Sequence, residues 1–384
     1  MKDSSVPGTG PGAGLSGNLS VPSKSRLIVP VAIFFVILIL GEFYVKWDPY
    51  YHKAFTAAAK HSLGASIVSG KTDVPPAFGF VAAWQYAVKY FLDIWQALVV
   101  GILVGAGIQV LLPKDWILRM FARKSFGSVL AAGTLALPGM MCTCCGAPVA
   151  VGLRKQQASV GAGLAFWMGN PVLNPATIVF MGFVLGWKFA VFRIFFGIIL
   201  VFGVSLLADR VASQRRLPDS ELSSSMTNLE TSSLITPLET PKSDLQNVMT
   251  QQPLWLRFLA EVWKMATSML PAYILFVLVV GGVRAWLFPV VGAHATGLLW
   301  LIGLALAGTL FVIPTAGEIP IIQTLMHYGL GIGPAAALLL TLPALSVPSM
   351  AIVWKSFPRR AILFAAASTF LIGILGGLVA MVTL

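Results

Sequence analysis

The sequence predicts an all-α polytopic membrane protein made of two inverted repeats with broken or re-entrant helices, roughly 9–11 membrane segments in all. Three observations predict this class. Of the 384 residues, 57% are hydrophobic and 10% are charged, against about 45–50% and about 25% in soluble domains. Several stretches run about 20 residues almost without charge, which is the length that crosses a hydrocarbon core. The second half of the chain also aligns with the first.

The amino-terminal part predicts a tail and one membrane span. Residues 1–26 are rich in Gly, Ser and Pro, which is typical of a disordered tail. Residues 27–45 are apolar, and the run ends at Gly41 and Glu42 without a small-x-small cleavage site, so we expect an uncleaved first transmembrane helix. Lys24 and Arg26 before it place the amino terminus in the cytoplasm.

The rest of the chain divides into four parts. Residues 46–90 form an expected outside segment with an amphipathic helix, which we place at Ala82–Asp93. Residues 91–208 are the first repeat, residues 209–254 are a polar cytoplasmic linker, and residues 255–384 are the second repeat. Proline breaks a helix in the first repeat at Asn170-Pro171 and Asn174-Pro175, and lipid tolerates such breaks only where protein or a water-filled cavity surrounds them.

The internal repeat appears when the second half is shifted by 172 positions over the first, with no gap. The proline and glycine matches fall where helices must break. Asn174 falls on Ser346. The identical pairs are Thr143 and Thr315, Pro148 and Pro320, Leu153 and Leu325, Gly161 and Gly333, Ala165 and Ala337, Pro171 and Pro343, and Leu173 and Leu345.

Charge predicts opposite orientations for the two repeats. Residues 114–124 carry four basic side chains, whereas the equivalent residues 287–294 carry no Lys or Arg. Arg154 and Lys155 likewise correspond to Met326 and His327. Lys188 and Arg193 are then expected near the outside. The net charge of +12 is spread over segment ends and forms no single stripe, which argues against nucleic-acid binding.

The strongest chemical pattern is a group of sulfur-bearing residues in the first repeat. Thiolates and thioethers are ligands for soft metals and metalloids, so we expect Cys142, Cys144 and Cys145 to contact such a species as transported substrate. The string is too short for a closed tetrahedral site. The alternative is that cysteine serves only as a small hydrophobe in a helix. The full group is Met140, Met141, Cys142, Cys144 and Cys145.

The second repeat contributes an acid. Glu318 follows an uncharged stretch, and an acid at membrane depth is a candidate for proton coupling or substrate contact. The alternative is that the negative charge of Glu318 stabilises the dipole of the helix that it begins. Polar side chains at the broken helices are candidate substrate ligands, or they satisfy the freed backbone: Thr143, Asn170, Asn174, Thr315, Ser346 and Ser349.

These features predict a permease that is not an enzyme, and no cofactor is expected. Nothing resembles a nucleotide-binding loop, a nucleophile elbow or a HExxH motif. The expected partners are the lipid bilayer and a small soft metal or metalloid substrate; self-association is an open possibility. Two alternatives stay open: a membrane thiol-redox protein, for which no cation is evident beside the cysteines before Arg154, and a non-transporting subunit of a membrane complex.

The two blocks MCTCCGAPVAVGLRKQQASVGAGLAFWMGNPVLNPAT and PTAGEIPIIQTLMHYGLGIGPAAALLLTLPALSVPS resemble the paired signatures of the predicted permease family that includes the ArsP-type organoarsenical efflux permeases. The resemblance covers residues 93–208 and 256–380. It implies a multi-pass inner-membrane permease, with efflux and arsenic resistance among relatives. The family's Cys-Ser-Cys corresponds to Cys142, Thr143 and Cys144, and its Thr-Ala-Glu to Thr315, Ala316 and Glu318 with Gly317 inserted. Thr143 and the extra Cys145 depart from the pattern and leave the substrate open.

Overall fold

The computed structural model of the chain describes residues 24–64, 67, 79–213, 253–287 and 297–384. Every regular element in these ranges is a helix, which confirms the predicted all-α class. Most of the predicted tail and of the polar linker lies outside the described residues. Residues 24–26, which the sequence assigned to the tail, are the first turn of a helix.

The first helical run is longer than the predicted first span. Helix α1 (Lys24–Glu42) continues through a five-residue π-helical turn (Phe43–Trp47) into α2 (Asp48–Lys60). The run ends at His61, whose φ of 48° is left-handed, as is common where a helix stops. The amphipathic helix of the 46–90 segment is therefore α2, whose buried positions Tyr50 and Ala57 lie seven residues apart.

Helix α3 (Phe80–Val110) is one uninterrupted helix of 31 residues. It includes the stretch Ala82–Asp93, which the sequence placed in a separate amphipathic helix before the span. Lys89 and Asp93 are not helix breakers, and the apolar stripe continues past them through the buried residues Tyr90 and Ile94. The predicted boundary between residues 90 and 91 falls inside this helix.

The remaining helices follow in two series. The first comprises α4 (Lys114–Phe121), α5 (Phe126–Ala136), α6 (Thr143–Lys155), α7 (Val160–Val172), α8 (Pro175–Val184), α9 (Trp187–Ile198) and α10 (Val204–Ser213), with a second π turn, Ile199–Gly203, between the last two. The second comprises α11 (Leu254–Leu287), α12 (Leu298–Leu310), α13 (Glu318–His327), α14 (Ile332–Ala344), α15 (Val347–Val353) and α16 (Arg359–Thr383).

The helix bounds agree with the duplication. Helices α12, α14, α15 and α16 begin 172 residues after α5, α7, α8 and α9 respectively. The packing follows the same relation, because α5 lies on α7 as α12 lies on α14, and α6 contacts α15 as α13 contacts α8. The opposite orientation of the two repeats remains a prediction.

Five helices in the described ranges are long and apolar enough to cross a membrane. They are 80–110, 187–212, 254–283, 332–353 and 359–383. Their exposed surfaces carry many large apolar side chains, such as Leu92, Val191 and Leu375, as a lipid-facing surface requires. The protein is a multi-pass membrane protein.

Each repeat contains one broken pair of helices at its centre. In the first, α7 ends just past Pro171 and Asn174 accepts hydrogen bonds from the Ala176 and Thr177 N–H groups, which caps α8. In the second, α14 ends just past Pro343, and Ser346 and Ser349 form a capping box at the start of α15. These caps satisfy backbone groups that proline and the chain break leave free. The breaks are therefore built into the structure.

Candidate functional site

The sulfur cluster lies at the amino-terminal end of α6. Cys142 is the N-cap residue, and the chain reaches it through a short 3₁₀ turn at Leu137–Gly139 and through Met140, whose φ is 43°. Asn170 accepts a hydrogen bond from the Met141 N–H at 3.3 Å. The Trp167 indole N–H donates to the Thr143 carbonyl at 2.8 Å. Helix α7 thus fixes the turn that presents the cysteines.

The start of α15 meets the start of α6 from the other repeat. The Thr143 Oγ1 and Ser346 Oγ atoms are 3.4 Å apart, and the Cys144 Sγ lies 3.8 Å from the same Ser346 oxygen. Ser349 accepts a hydrogen bond from the Ser346 N–H at 3.2 Å. Sequence positions about two hundred residues apart are thereby joined, with sulfur from the first repeat and hydroxyl groups from the second.

The three thiols are all free and buried, and the Cys142 thiol interacts with both of the others. The Cys142 and Cys145 Sγ atoms are 3.0 Å apart. The Cys144 Sγ also accepts a hydrogen bond from the Tyr90 hydroxyl at 3.7 Å, and Tyr273 donates to that hydroxyl at 2.8 Å. No group of three His, Cys, Asp or Glu side chains in the described ranges is arranged to hold a metal ion. Binding by all three thiols together stays a prediction.

A small cavity lies between the two repeats at this point. Its volume is about 10 Å³, which is room for about one water molecule. The two repeats contribute equivalent residues to its wall, Thr143 with Thr315 and Pro171 with Pro343. The full lining is Cys142, Thr143, Pro171, Ile313, Pro314, Thr315, Ala316, Glu318, Leu342 and Pro343. The structure therefore shows the site closed around a very small space.

Glu318 lines this cavity and is paired with an arginine. The Arg193 Nη1 and Glu318 Oε1 atoms are 2.7 Å apart, and both side chains are at least 98% buried. Arg193 also donates to the carbonyl oxygens of Val172 at 2.9 Å and Pro171 at 2.7 Å. The sequence places Arg193 near the outer side of the membrane, which stays a prediction. Arg193 lies in the core because its guanidinium satisfies both the acid and the carbonyls freed by the α7 break.

A second buried cation reaches the site from the first helical run. Lys46 lies in the π turn, is 7% exposed, and donates to the Thr315 hydroxyl at 3.5 Å and to the Tyr50 hydroxyl at 3.4 Å. Its ammonium is close enough to Cys142 and Cys145 to interact with them electrostatically. The sequence-based statement that no cation is evident beside the cysteines is therefore wrong. Lys46 is distant in sequence and is brought in by the fold.

The predicted polar residues divide by position. Thr143, Thr315 and Ser346 lie at the junction of the repeats, and Thr143 and Thr315 line the cavity. Asn170 and Asn174 are fully buried, and their side-chain oxygens are occupied by backbone N–H groups. Both asparagines therefore stabilise the backbone around the break; the Asn174 Nδ2 atom is buried without a hydrogen-bond partner in the described residues, and a substrate contact stays a prediction.

The sequence reasoning missed five contributors. A lone arginine inside the apolar run 189–208 and a lysine at the end of the first span were available signals, because a charge at membrane depth is a candidate for function by default. The two tyrosines and the tryptophan carry no such signal, since aromatic residues are common in any membrane helix. The five are Lys46, Tyr90, Trp167, Arg193 and Tyr273.

Comparison with known proteins identifies the family. Residues 79–382 match a family described as predicted permease. The chain belongs to this permease family. It is 45% identical over 361 residues to the UPF0718 protein YraQ of Escherichia coli strain K12, which covers 92% of this chain and 97% of that protein. It is 24% identical over 310 residues to the UPF0718 protein MJ0584 of Methanocaldococcus jannaschii, over 67% of this chain and 84% of that protein.

No solved structure matches the chain. The family match covers both repeats and begins at the start of α3, so the helical run formed by α1 and α2 lies outside it. Membership indicates a transporter rather than an enzyme. The identity of the transported species does not follow from the family.

Proposed function

We propose that the protein is a secondary exporter of a small thiophilic metal or metalloid species, carried at the junction of α6 and α15. The observation that carries the proposal is the meeting of two helix starts from different repeats around the closed cavity: α6 bears three cysteines, and α15, the second half of a broken pair, bears hydroxyl groups. Broken helices that meet at a repeat interface are a recurring plan for substrate sites in secondary transporters.

The sulfur atoms are the proposed substrate ligands. Cys142 lines the cavity, and the Cys145 Sγ is 3.0 Å from the Cys142 Sγ, so one soft atom could bridge this pair after a small separation of the two sulfurs. Cys144 adjoins Ser346 at the second helix end. Thiolate ligands favour soft ions and metalloids such as trivalent arsenic or Cu(I) over hard ions. An organoarsenical is one member of that class.

The Arg193–Glu318 pair is the proposed coupling element. Glu318 belongs to the second repeat and Arg193 to the first, so any motion of one repeat against the other acts on this contact. Protonation of Glu318 would weaken the pair and release the arginine from the acid. We propose on this ground that proton movement drives export. We also propose that the protein lies in the inner membrane with its amino terminus in the cytoplasm, as Lys24 and Arg26 predict.

The test is uptake into everted membrane vesicles containing the full chain. As(III), methylated arsenicals, Sb(III), Cu(I) and Zn(II) are offered with and without a proton gradient, and accumulated metal or metalloid is measured by mass spectrometry. One of these species is expected to accumulate at least tenfold above empty vesicles when the gradient is present. Accumulation of none of the five would overturn the proposed substrate class.

Conservative cysteine variants then test the site. Cys142→Ser and Cys145→Ser keep size but remove the soft ligand, and each is expected to lower uptake at least tenfold. Thr134→Ser is the matched control, because Thr134 is an exposed residue of α5 that bonds only to its own helix. Correct insertion is checked by gel filtration in detergent. If the triple Cys→Ser variant transports normally, the thiols do not bind the substrate.

A membrane thiol-redox protein is the second candidate. Cys142 and Cys145 form a C-x-x-C pair at a helix start with a buried lysine nearby, an arrangement found in dithiol oxidoreductases. Titration of the membrane-embedded protein with reduced and oxidised glutathione, followed by thiol alkylation and mass counting, decides between the two. A Cys142–Cys145 disulfide that forms and is reduced reversibly supports this candidate, and its absence at every ratio excludes it.

A further inference from the structure

A large apolar cavity lies between α1 and the rest of the bundle, and its lining includes Met141 and Asn170, the sequence neighbours of Cys142 and Pro171 in the small cavity of the repeat junction. Its volume is about 470 Å³, within the range of roughly 300–1,000 Å³ that is typical of sites for drug-sized molecules. One wall is formed by α1, with Phe34, Leu38 and Phe43 nearby, and the opposite wall includes Phe121 and Phe166. Nothing in the proposed transport step uses this space.

One acidic group interrupts the apolar wall. Glu42, the last residue of α1, lines the cavity and is 7% exposed. Its Oε2 atom is fully buried and has no hydrogen-bond partner in the described residues. A buried carboxylate without a hydrogen-bond partner is strongly unfavourable in an apolar medium. Such a group inside a membrane protein indicates a site that is completed by something else.

The neighbouring polar groups are already engaged. Lys46, one turn later, bonds to Tyr50 and Thr315; it attracts Glu42 electrostatically, but its ammonium lies more than 4 Å from every carboxylate oxygen of the described residues. The Trp47 indole N–H donates to the Pro138 carbonyl at 3.2 Å. Asn170 bonds to the Met141 N–H and to the Phe166 carbonyl. Among the polar groups of this wall considered above, Glu42 therefore retains a free hydrogen-bond acceptor, its Oε2 atom, for a ligand.

The local backbone also marks the position. The π turn Phe43–Trp47 starts directly after Glu42, and single π turns within α-helices occur frequently at functional sites. Helix α1 lies outside the segment matched by the permease family. The cavity is thus formed between the family's helical bundle and an additional helix.

We propose that this cavity binds an amphiphilic organic cation, with an aromatic or aliphatic body against the apolar wall and an ammonium group donating to Glu42. The apolar surface supplies most of the affinity, and the carboxylate supplies the preference for positive charge. A phospholipid acyl chain could fill the apolar part, but it would leave the carboxylate unpaired. Charge complementarity therefore favours the cation.

The test uses two fluorescent probes that differ only in the cationic group. Monodansylcadaverine carries a dansyl ring and a primary ammonium, and N-pentyl dansylamide carries the same ring and chain length without charge. Each is titrated into the purified full chain in detergent, and binding is followed by dansyl emission. We expect monodansylcadaverine to bind at least tenfold more tightly than the uncharged probe.

Two substitutions separate charge from shape. Glu42→Gln keeps the size of the side chain and is expected to weaken monodansylcadaverine at least tenfold while leaving the uncharged probe unchanged. Leu38→Trp fills part of the cavity and should weaken both probes. Glu261→Gln, at a surface carboxylate paired with Lys155, is the control and should change neither.

Three outcomes would overturn the proposal: equal affinity for both probes, insensitivity of monodansylcadaverine to Glu42→Gln, or loss of both probes on adding phospholipid with no effect of Glu42→Gln. The last would identify the cavity as a lipid site. The binding assay does not measure metalloid transport, so a negative result here would leave the proposed function untouched, and the reverse also holds.

Discussion

The two repeats share the starts of four helices, but they differ in the side chains where α6 and its counterpart α13 begin. In the first repeat α6 begins with Cys142 at its cap and has no acidic residue in its first turn. Its counterpart α13 begins at Glu318, three residues later than the shift of 172 would place it, and has no sulfur there. The comparison teaches that duplication preserved the starts of four other helices, while this pair diverged both in its starting residue and in the side chains there.

The packing of the long first helices diverged as well. Gly101 and Gly105 of α3 let α6 approach closely, and a Cβ on Gly105 would lie 2.6 Å from the Pro148 carbonyl oxygen. Their counterparts in α11 are Tyr273 and Val277. Helix α11 accordingly packs on α3 and α15, and Tyr273 reaches Tyr90 beside Cys144. Tyr273 of the second repeat, the counterpart of Gly101, thus packs beside the cysteine cluster of the first repeat.

The largest expected effect comes from breaking the ion pair that joins the repeats. Arg193→Met leaves Glu318 buried and unpaired and frees the Pro171 and Val172 carbonyls, so we expect a loss of about 3–5 kcal/mol in unfolding free energy. Thermal unfolding in detergent measures it. Adding Glu318→Gln should restore part of the loss, whereas Lys155→Met, at a pair with a partly exposed lysine, should cost about 1 kcal/mol or less.

The glycine contact of α3 should give the next largest effect. Gly105→Ala forces α3 and α6 apart against backbone atoms, and we expect a loss of about 1–3 kcal/mol. Gly303→Ala in α12 is the matched control, because a Cβ there meets nothing within 4 Å. Equal stability of the two variants in the same unfolding assay would show that the close approach is not required.

The equivalent caps Asn174 and Ser346 test whether position or chemistry matters. Asn174→Ala removes the cap of α8 and should lower stability by about 1 kcal/mol, while Asn174→Ser, the residue of the other repeat, should recover much of it. Ser346→Ala should cost a similar amount and in addition lower transport, since this hydroxyl contacts Thr143 and Cys144. Unfolding and vesicle uptake are measured together. A transport defect in Asn174→Ser would show that capping α8 is not the only role of Asn174.

The smallest expected effect concerns the tyrosine pair. Tyr273→Phe removes the 2.8 Å hydrogen bond to Tyr90 and a weaker contact with the Cys144 thiol, so we expect a loss of about 0.5–1.5 kcal/mol. Tyr90→Phe should cost more, because it also removes the donor to Cys144. The reverse order of the two variants in thermal unfolding would exclude the proposed chain of hydrogen bonds.

The fold class followed from the sequence because lipid imposes simple rules on length, charge and proline position. The shift of 172 residues even gave the starts of four helices in the second repeat from those in the first. Apolar patterning failed at the start of α3, since two charged residues within a long helix resemble the end of a segment. Lys89 and Asp93 lie on a different face of the helix from the buried residues Tyr90 and Ile94, so they do not interrupt the apolar stripe.

The candidate site was predicted in part. The cysteines, Thr143, Thr315, Glu318 and Ser346 are the residues that meet at the junction of the repeats. Lys46 and Arg193 were missed as members of the site, because only folding brings them there: Lys46 is 269 residues from Thr315 in the sequence, and Arg193 is 125 residues from Glu318. The contacts of the Cys144 thiol with Tyr90 and Ser346 could not be predicted either, since they depend on where these residues lie in the folded chain.

The π turn at Phe43–Trp47 sets the rotational phase of the first helical run. One extra residue in a helix turns everything after it by about 100° relative to what precedes it. Helix α1 can therefore face α3 while α2, in the same run, faces α8 with Tyr50 and Ala57. A deletion of a single residue between 43 and 47 would leave every buried side chain of α2 intact and yet turn that face away from its partner.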